Sequence, residues 1–372
     1  MEAVVDGIIF ETNPYGGVAR IYSEIIPLMC SIDPSLRVML LTSNRSGVDL
    51  PAHSHIYHRS FPPIEYLLHP RRLFWLARRQ TRALIQQSIL RNSLDSIWHS
   101  TYYTMPKHWQ GPIVVTVYDM IHEYFASLFP GFHNDQFRRH KQQCVTAADA
   151  VICISKATRQ HVGQVYNVND AKLYVVQLAY NPIFKVLDEV NLPKELLVKR
   201  PYFLYVGRRT HYKNFDGLLR AYSRWEGRDA IDLVVVGPNW LKNERQYLAE
   251  LDIVDRVHLI RNVDDQLLCV LYNQAKAFIY PSLYEGFGIP VLEAMACACP
   301  VIASHIPSTV EVAGKCPIYF EPTEMESLVT AFNVAISEGH ESERTNSGLK
   351  KVKDFSWEIT AEQTLTVYRS LS

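Results

Sequence analysis

The segment at residues 280–304 reads YPSLYEGFGIPVLEAMACACPVIAS, and its residue types come in the order of a strand, a glycine turn and a helix. Apolar residues run up to Tyr280 and stop. Gly286-Phe287-Gly288 turns the chain, and Pro290 suits a first helical position. Pro300 ends that helix ahead of a second apolar run, Val301–Ala303. A strand–helix–strand unit of this kind belongs to a parallel α/β sheet. The glycines let backbone approach a ligand closely, and a helix N-terminus offers free N–H groups with partial positive charge. Together they suit a phosphate group. Glu285 stands before the turn and Glu293 within the helix, and a carboxylate can accept from two vicinal hydroxyls of a ribose or hexose. Either Glu alone reads as an ordinary surface residue. The pair, bracketing a glycine turn after an apolar strand, reads as functional.

Outward from this segment the same alternation fills the chain. Strands are predicted at Val4–Phe10, Arg37–Thr42, Ser96–His99, Ile113–Tyr118, Ala150–Ile154 and Leu173–Gln177 in the first half. In the second half they fall at Tyr202–Val206, Asp232–Val236, Val257–Ile260, Ala277–Tyr280, Val301–Ala303 and Ile318–Phe320. Helical patterns lie between them, at Asp216–Trp225 and Asp264–Gln274 for example. Two sets of strands imply two doubly wound domains, 1–185 and 186–355, with the proline- and charge-rich stretch Asn181–Arg200 as linker. A ligand cleft is expected between them, lined by loops at strand carboxyl ends. The tail, 356–372, reads as one amphipathic helix with Trp357, Ile359, Leu365, Val367 and Tyr368 as its apolar members.

A length of 372 residues suits two domains, and 48% hydrophobic residues supply two cores. The formal net charge is zero, which excludes a protein coated by nucleic acid. The charge is unevenly placed: residues 1–185 hold 18 Lys and Arg against 13 Asp and Glu, residues 186–372 hold 20 against 25. The start, MEAVVDGIIFETN, lacks a signal pattern, and no apolar run approaches the ~20 residues of a spanning helix. A soluble, cytoplasmic protein is expected. Seven scattered cysteines read as reduced core thiols.

Three further strand-end loops carry candidate chemistry. In YFLYVGRRTHYKNF, residues 202–215, Gly207 ends a strand and Arg208, Arg209 and Lys213 follow, cations able to neutralise a diphosphate. An ordinary basic surface loop reads equally well there. In NPYGGVAR, residues 13–20, Gly16-Gly17 opens a helix in an anion-receptive turn, with no G-x-G-x-x-G dinucleotide fingerprint. In TVYDMIHE, residues 116–123, Tyr118, Asp119, His122 and Glu123 are placed to face a cleft, although Asp119 also reads as a helix cap.

These residues resemble the retaining glycosyltransferases of family 4, which have the GT-B fold of two Rossmann-like domains. The specific match is Glu285 to Glu293 around G-F-G-x-P. VGRRTHYKN at 206–214, YGGVAR at 15–20, ICISKATR at 152–159 and PVIASHIPSTVEVAG at 300–314 support it in the family's order. The resemblance implies that Glu285 contacts donor-sugar hydroxyls and Glu293 the ribose. It implies that Arg208 and Lys213 hold the diphosphate, that backbone at Gly286, Phe287, Gly288 and Ile289 serves sugar and phosphate, and that Gly17 closes on the phosphates from the other domain. Asn262 and Val263 would lie near the base, Gly207 and Gly237 line the donor side, and the tail helix from Ser356 crosses back to the N-terminal domain. The chain departs from the family twice. Tyr118-Asp119 stands where His-Asp is common, leaving Tyr118, Asp119 and His122 as the N-terminal candidates. Tyr212-Lys213 stands where Arg-Lys is common, so either Arg208 or Arg209 is the second phosphate partner.

The expected reaction moves a hexose from a nucleotide-diphosphate sugar, UDP-glucose or GDP-mannose with a lean to UDP, to a glycan or lipid-linked sugar in polysaccharide biosynthesis. No D-x-D motif ends a strand (Asp264-Asp265 opens a helix), so neither metal nor cofactor is expected. A nucleotide-sugar epimerase and an inactive sugar-nucleotide-binding scaffold are the alternatives. The stretch 71–91 is rich in arginine, with Arg71, Arg78 and Arg82 near one helical face beside Trp75. It reads either as a solvated helix face or as a peripheral contact with an anionic membrane surface.

Overall fold

In the computed structural model, which describes residues 1–43, 49–61, 96–106, 109–128, 130–189 and 198–371, the chain divides into two compact units. One is Met1–Leu178 with Trp357–Ser372, the other Ala179–Ser356. The Arg-rich stretch 71–91 lies outside the described residues.

The first unit carries strands β1 (Glu2–Asp6), β2 (Arg37–Ser43), β3 (Ile56–Phe61), β4 (Ile97–Ser100), β5 (Ile113–Val117), β6 (Ala150–Cys153) and β7 (Leu173–Val175). Their order across the sheet is β3-β2-β1-β4-β5-β6-β7. The second carries β8 (Tyr202–Val206), β9 (Asp232–Val236), β10 (Val257–Ile260), β11 (Ala277–Tyr280), β12 (Val301–Ser304) and β13 (Ile318–Phe320), ordered β10-β9-β8-β11-β12-β13. Neighbouring strands pair in parallel throughout. Parallel sheets are covered on both faces, so their central strands are buried on both sides and mostly apolar. IVVTV of β5 and DLVVV of β9 are buried from end to end. The winding direction reverses between β1 and β4 and again between β8 and β11, and a ligand crevice opens at such a switch point.

The helices bury stripes at helical spacing. Phe215–Arg224 places Phe215, Leu218, Leu219 and Tyr222 against a core that includes Phe203 and Tyr205. The Phe203 ring lies 5.1 Å from Phe332 in the same core. The tail helix, Trp357–Arg369, packs on Gly17–Ile32 of the first unit. Its Tyr368 hydroxyl meets His99 Nδ1 at 2.7 Å. Ile359, expected in its apolar stripe, is 40% exposed, and Thr360, Ala361 and Thr364 complete the buried face instead. All seven cysteines are unpaired, and all but Cys316 are buried. Among the described residues no helix is long and apolar enough to cross a membrane.

The N-terminus differs from the expected strand Val4–Phe10. β1 ends at Asp6, where the carboxylate accepts from Ile8 N–H at 3.0 Å and Gly7 N–H donates to Leu41 O at 2.8 Å. The chain turns there, and Ile8–Thr12 becomes a short helix burying Ile9 and Phe10. β3 had no apolar signal: it is an edge strand whose residues 57–60 are exposed.

Candidate active site

In the second unit the loops that flank the switch point are built from β8 and β11. After β8 the chain passes through Gly207 at φ +136°, a conformation that glycine adopts without strain. Gly207 N–H donates to Val236 O at 2.9 Å, and a Cβ on Gly237 would come within 2.6 Å of Gly207 O. The two glycines therefore allow the β8 and β9 loops to touch. The β8 loop then closes as a short 3-10 turn, His211–Lys213, ended by Asn214 in the left-handed region. Leu283 N–H donates to Tyr212 O at 2.7 Å and ties this turn to the loop after β11.

That tie brings Lys213 onto Glu285. Lys213 Nζ lies 2.6 Å from Glu285 Oε1, with the carboxylate side chain only 10% exposed. Neither is a loose surface group. The ammonium also lies 5.5 Å and 5.7 Å from the ring centres of Tyr212 and Tyr280, a cation–π arrangement. Burial and then the neighbouring Glu285 carboxylate push the Tyr280 hydroxyl well above its ordinary pKa, so it stays a neutral donor to that carboxylate.

Beyond Glu285, Phe287 is buried and meets Phe355 at 6.0 Å, so its backbone is pinned from below. Gly288 has φ +120° and caps the helix Ile289–Ala296 with no side-chain bond to its first N–H groups. Pro290 sits at its start. Glu293 is one turn in, 7% exposed, and accepts from Tyr272 hydroxyl at 3.2 Å. Asn262, after β10, holds φ +53°, a strained setting for a side chain other than glycine.

The two arginines separate. Arg209 Nε and Nη2 reach Glu244 at 2.8 Å and 3.0 Å, and Nη2 also donates to Asn239 O. Its side chain is 3% exposed and stacks 4.5 Å over Trp240. It is a buried strut for the β8 and β9 loops. Arg208 is exposed, and among the described residues its guanidinium has no hydrogen bond or ion pair. Arg208 is thus the open cation of the two, while Arg209 is held by Glu244 and keeps only its buried Nη1 without a hydrogen-bond partner among the described residues.

Sequence reasoning overlooked four hydroxyls at the same strand ends. Thr210 Oγ1 after β8, Ser282 Oγ after β11, Ser304 Oγ closing β12 and Ser308 Oγ beyond it are buried and, among the described residues, have no hydrogen-bond partner. Buried hydroxyls are ordinarily satisfied, so a group of orphans at one sheet edge suits a polar ligand. Short polar residues directly after apolar strands were the available signal.

In the first unit, Gly16 precedes the helix Gly17–Ile32 and offers no side-chain cap. Asn13 packs so closely that a Cβ on Gly16 would meet it at 2.2 Å, whereas Gly17 has open space. Tyr118 does not offer a free hydroxyl. It donates to Thr101 O at 2.9 Å and lies 2.8 Å from the Tyr22 hydroxyl, inside a buried network that continues to His99 and Thr116. Asp119 accepts from Ile121 N–H at 3.1 Å, a turn bond just ahead of the helix Ile121–Tyr124, whose N-cap is Met120 and not the Asp119 that the sequence suggested. His122 Nδ1 donates to Asn134 Oδ1 at 2.6 Å. Glu123, its side chain 8% exposed, is bound by Lys141 at 2.9 Å and by Tyr166 at 2.5 Å.

Comparison with known proteins follows this geometry. A family model described as glycosyl transferases group 1 matches residues 189–352, and one described as glycosyltransferase family 4 matches residues 16–182. An O-antigen chain mannosyltransferase B of Escherichia coli is 29% identical over 320 residues, 82% of this chain and 79% of that one. The O-antigen chain mannosyltransferase RfbU of Salmonella typhimurium is 31% identical over 219 residues, 58% and 59% of the two chains. A solved sucrose-phosphate synthase from Thermosynechococcus elongatus superposes with a TM-score of 0.77 at 18% identity, covering 100% of this chain and 99% of its own. The fold is therefore GT-B, as the α/β reading of the sequence expected.

Proposed function

This chain belongs to the group 1 and family 4 glycosyltransferases, and on that premise we propose a retaining, metal-independent mannosyltransferase that extends an O-antigen-type glycan from GDP-mannose. The observation that carries this reading is the 2.6 Å contact of Lys213 with Glu285 beside a helix start at the switch point. A cation for the diphosphate and an acceptor for sugar hydroxyls stand side by side, as a nucleotide-diphosphate sugar requires. Of the two donors the sequence suggested, the mannosyltransferase names of the relatives favour GDP-mannose over the UDP lean.

In this reading the bond between the sugar anomeric carbon and the diphosphate oxygen breaks as the acceptor oxygen attacks the same face. Charge develops on the leaving diphosphate, where fixed positive groups stabilise it most. Arg208, Lys213 and the N–H groups after Gly288 fill that role. The acceptor proton passes to the departing phosphate oxygen, so no separate base is used. Glu285 orients the sugar, and Glu293, anchored by Tyr272, takes the ribose. Asp119 is the catalytic candidate of the first unit and His122 the acceptor-side one. A lipid-linked acceptor with peripheral membrane contact remains part of the proposal, through the stretch 71–91 outside the described residues.

The test incubates the enzyme with GDP-mannose or UDP-glucose and a mannose oligosaccharide, with excess chelator, and reads the product anomeric configuration by NMR. The expected product is α-linked mannose from GDP-mannose. Sugar-nucleotide interconversion without acceptor would make the chain an epimerase. A β-linked product, or activity only on restored divalent metal, would overturn the mechanism.

A further inference from the structure

A second polar cavity lies in the first unit, between the helices Phe132–Ala147 and Lys156–Tyr166, with a volume of about 410 Å³. Its lining joins Glu123 and Arg138 to Arg139, Gln142 and Val165. Glu123 closes the strand-end loop 116–123 and the others stand on the two helices, and none of them is given a donor or acceptor role above.

The charges of this cavity are already paired. Glu123 accepts from Lys141 at 2.9 Å, a pair whose side chains are 8% and 1% exposed. Arg138 meets Asp135 at 2.6 Å. A phosphate or carboxylate ligand wants uncompensated positive charge, and most of the charge here is spent inside the wall. Unused hydrogen-bonding capacity is what the cavity retains. Arg139 and Gln142 line it and are exposed, so their donors are open to a ligand. Beside it is an apolar surface. Val165 is 40% exposed, and Tyr124, next to Glu123, is 47% exposed with its ring 4.9 Å from His161, one turn before Val165. Several donors, balanced charge and an adjoining aromatic face match a neutral polyhydroxyl ring, which shows hydroxyls at its edge and C–H groups on its faces.

We infer that this cavity is an accessory glycan-binding subsite, holding a neutral hexose of the acceptor chain away from the growing end. The inference rests on the transferase reading above and adds to it a preference for long acceptors. A sugar bound there adds to the affinity for a long acceptor chain and not to that for a monosaccharide.

The test uses the whole enzyme and α-linked mannose oligosaccharides of increasing length. The variant Arg139→Ala/Gln142→Ala changes two exposed side chains, so its fold should persist, as thermal melting will show. Titration calorimetry is expected to give saturable tetrasaccharide binding by the wild type, weakened about ten-fold in the variant. KM for long acceptors should rise by a similar factor, with kcat, KM for a monosaccharide acceptor and GDP affinity unchanged. Equal tetrasaccharide affinity in both proteins, or no saturable binding in the wild type, overturns the subsite. Absence of transfer to every mannose acceptor would overturn the transferase reading instead, and calorimetry would still decide this one.

Discussion

Replacing Lys213 by alanine separates diphosphate recognition from nucleoside recognition. The side chain is 22% exposed, close against Glu285 and the Tyr212 and Tyr280 rings. Its positive charge is therefore partly desolvated, and a charge-assisted bond from it to phosphate contributes ~1.5–3 kcal/mol. At ~1.4 kcal/mol per factor of ten, GDP should bind about 10- to 150-fold more weakly to Lys213→Ala. Guanosine, which lacks the diphosphate, should lose less than about two-fold. The loss in GDP affinity has a second source: Lys213→Ala leaves the Glu285 carboxylate, 10% exposed, facing the diphosphate without its cation. Removing that carboxylate as well should recover part of the affinity, so the two substitutions should be non-additive by ~0.5–3 kcal/mol, the range for groups in contact. Calorimetric titration of GDP and guanosine into wild type, Lys213→Ala, Glu285→Ala and the double variant supplies every term. Equal losses for GDP and guanosine would make Lys213 a general structural residue. Strict additivity would show that the ion pair has no bearing on the bound phosphate.

Three other outcomes follow from the same structure. Arg209→Met should lower stability by ~3–5 kcal/mol, the range for breaking a buried pair, because Glu244 is left buried without its cation; Arg208→Ala should leave the melting temperature unchanged and weaken GDP, and the reverse pattern would exchange their roles. Glu285→Ala should abolish transfer while GDP still binds, and wild-type turnover in that variant would remove Glu285 from the mechanism. Burial pushes the His99 pKa down from 6.5 to about 3, so the folded protein keeps this ring neutral while the unfolded chain protonates it first. That stability is complete above pH 6.5 and falls by up to ~1.4 kcal/mol per pH unit between pH 6.5 and about 3. Urea melts against pH should show a shallower acid arm in His99→Gln, and an unchanged arm would mean that other groups control acid unfolding.

What the sequence disclosed, and what it hid, divides by the range of the interaction. Strands buried on both faces announce themselves in place, as IVVTV and DLVVV do, and the turn from Tyr280 to Pro290 contains its own strand end, glycines and helix start. The fold class was legible for that reason. β3 was not, since an edge strand needs few buried residues to hold its register beside β2. Adjacent arginines are equivalent by spacing. Arg208 and Arg209 are told apart only by Glu244, which is 35 residues along the chain and reaches Arg209 because Gly237 lets the β9 loop approach Gly207. Tyr118 is hidden in the same way, its hydroxyl fixed by Tyr22 and the carbonyl of Thr101, neither of them a sequence neighbour. Local pattern therefore reports which loops stand at strand ends, while the pairing of charges across those loops decides which of their side chains are left to meet a substrate. In the second unit that pairing ties Arg209 to Glu244 and Lys213 to Glu285 and leaves Arg208 exposed, a distinction that no spacing of these cations along the chain could have supplied.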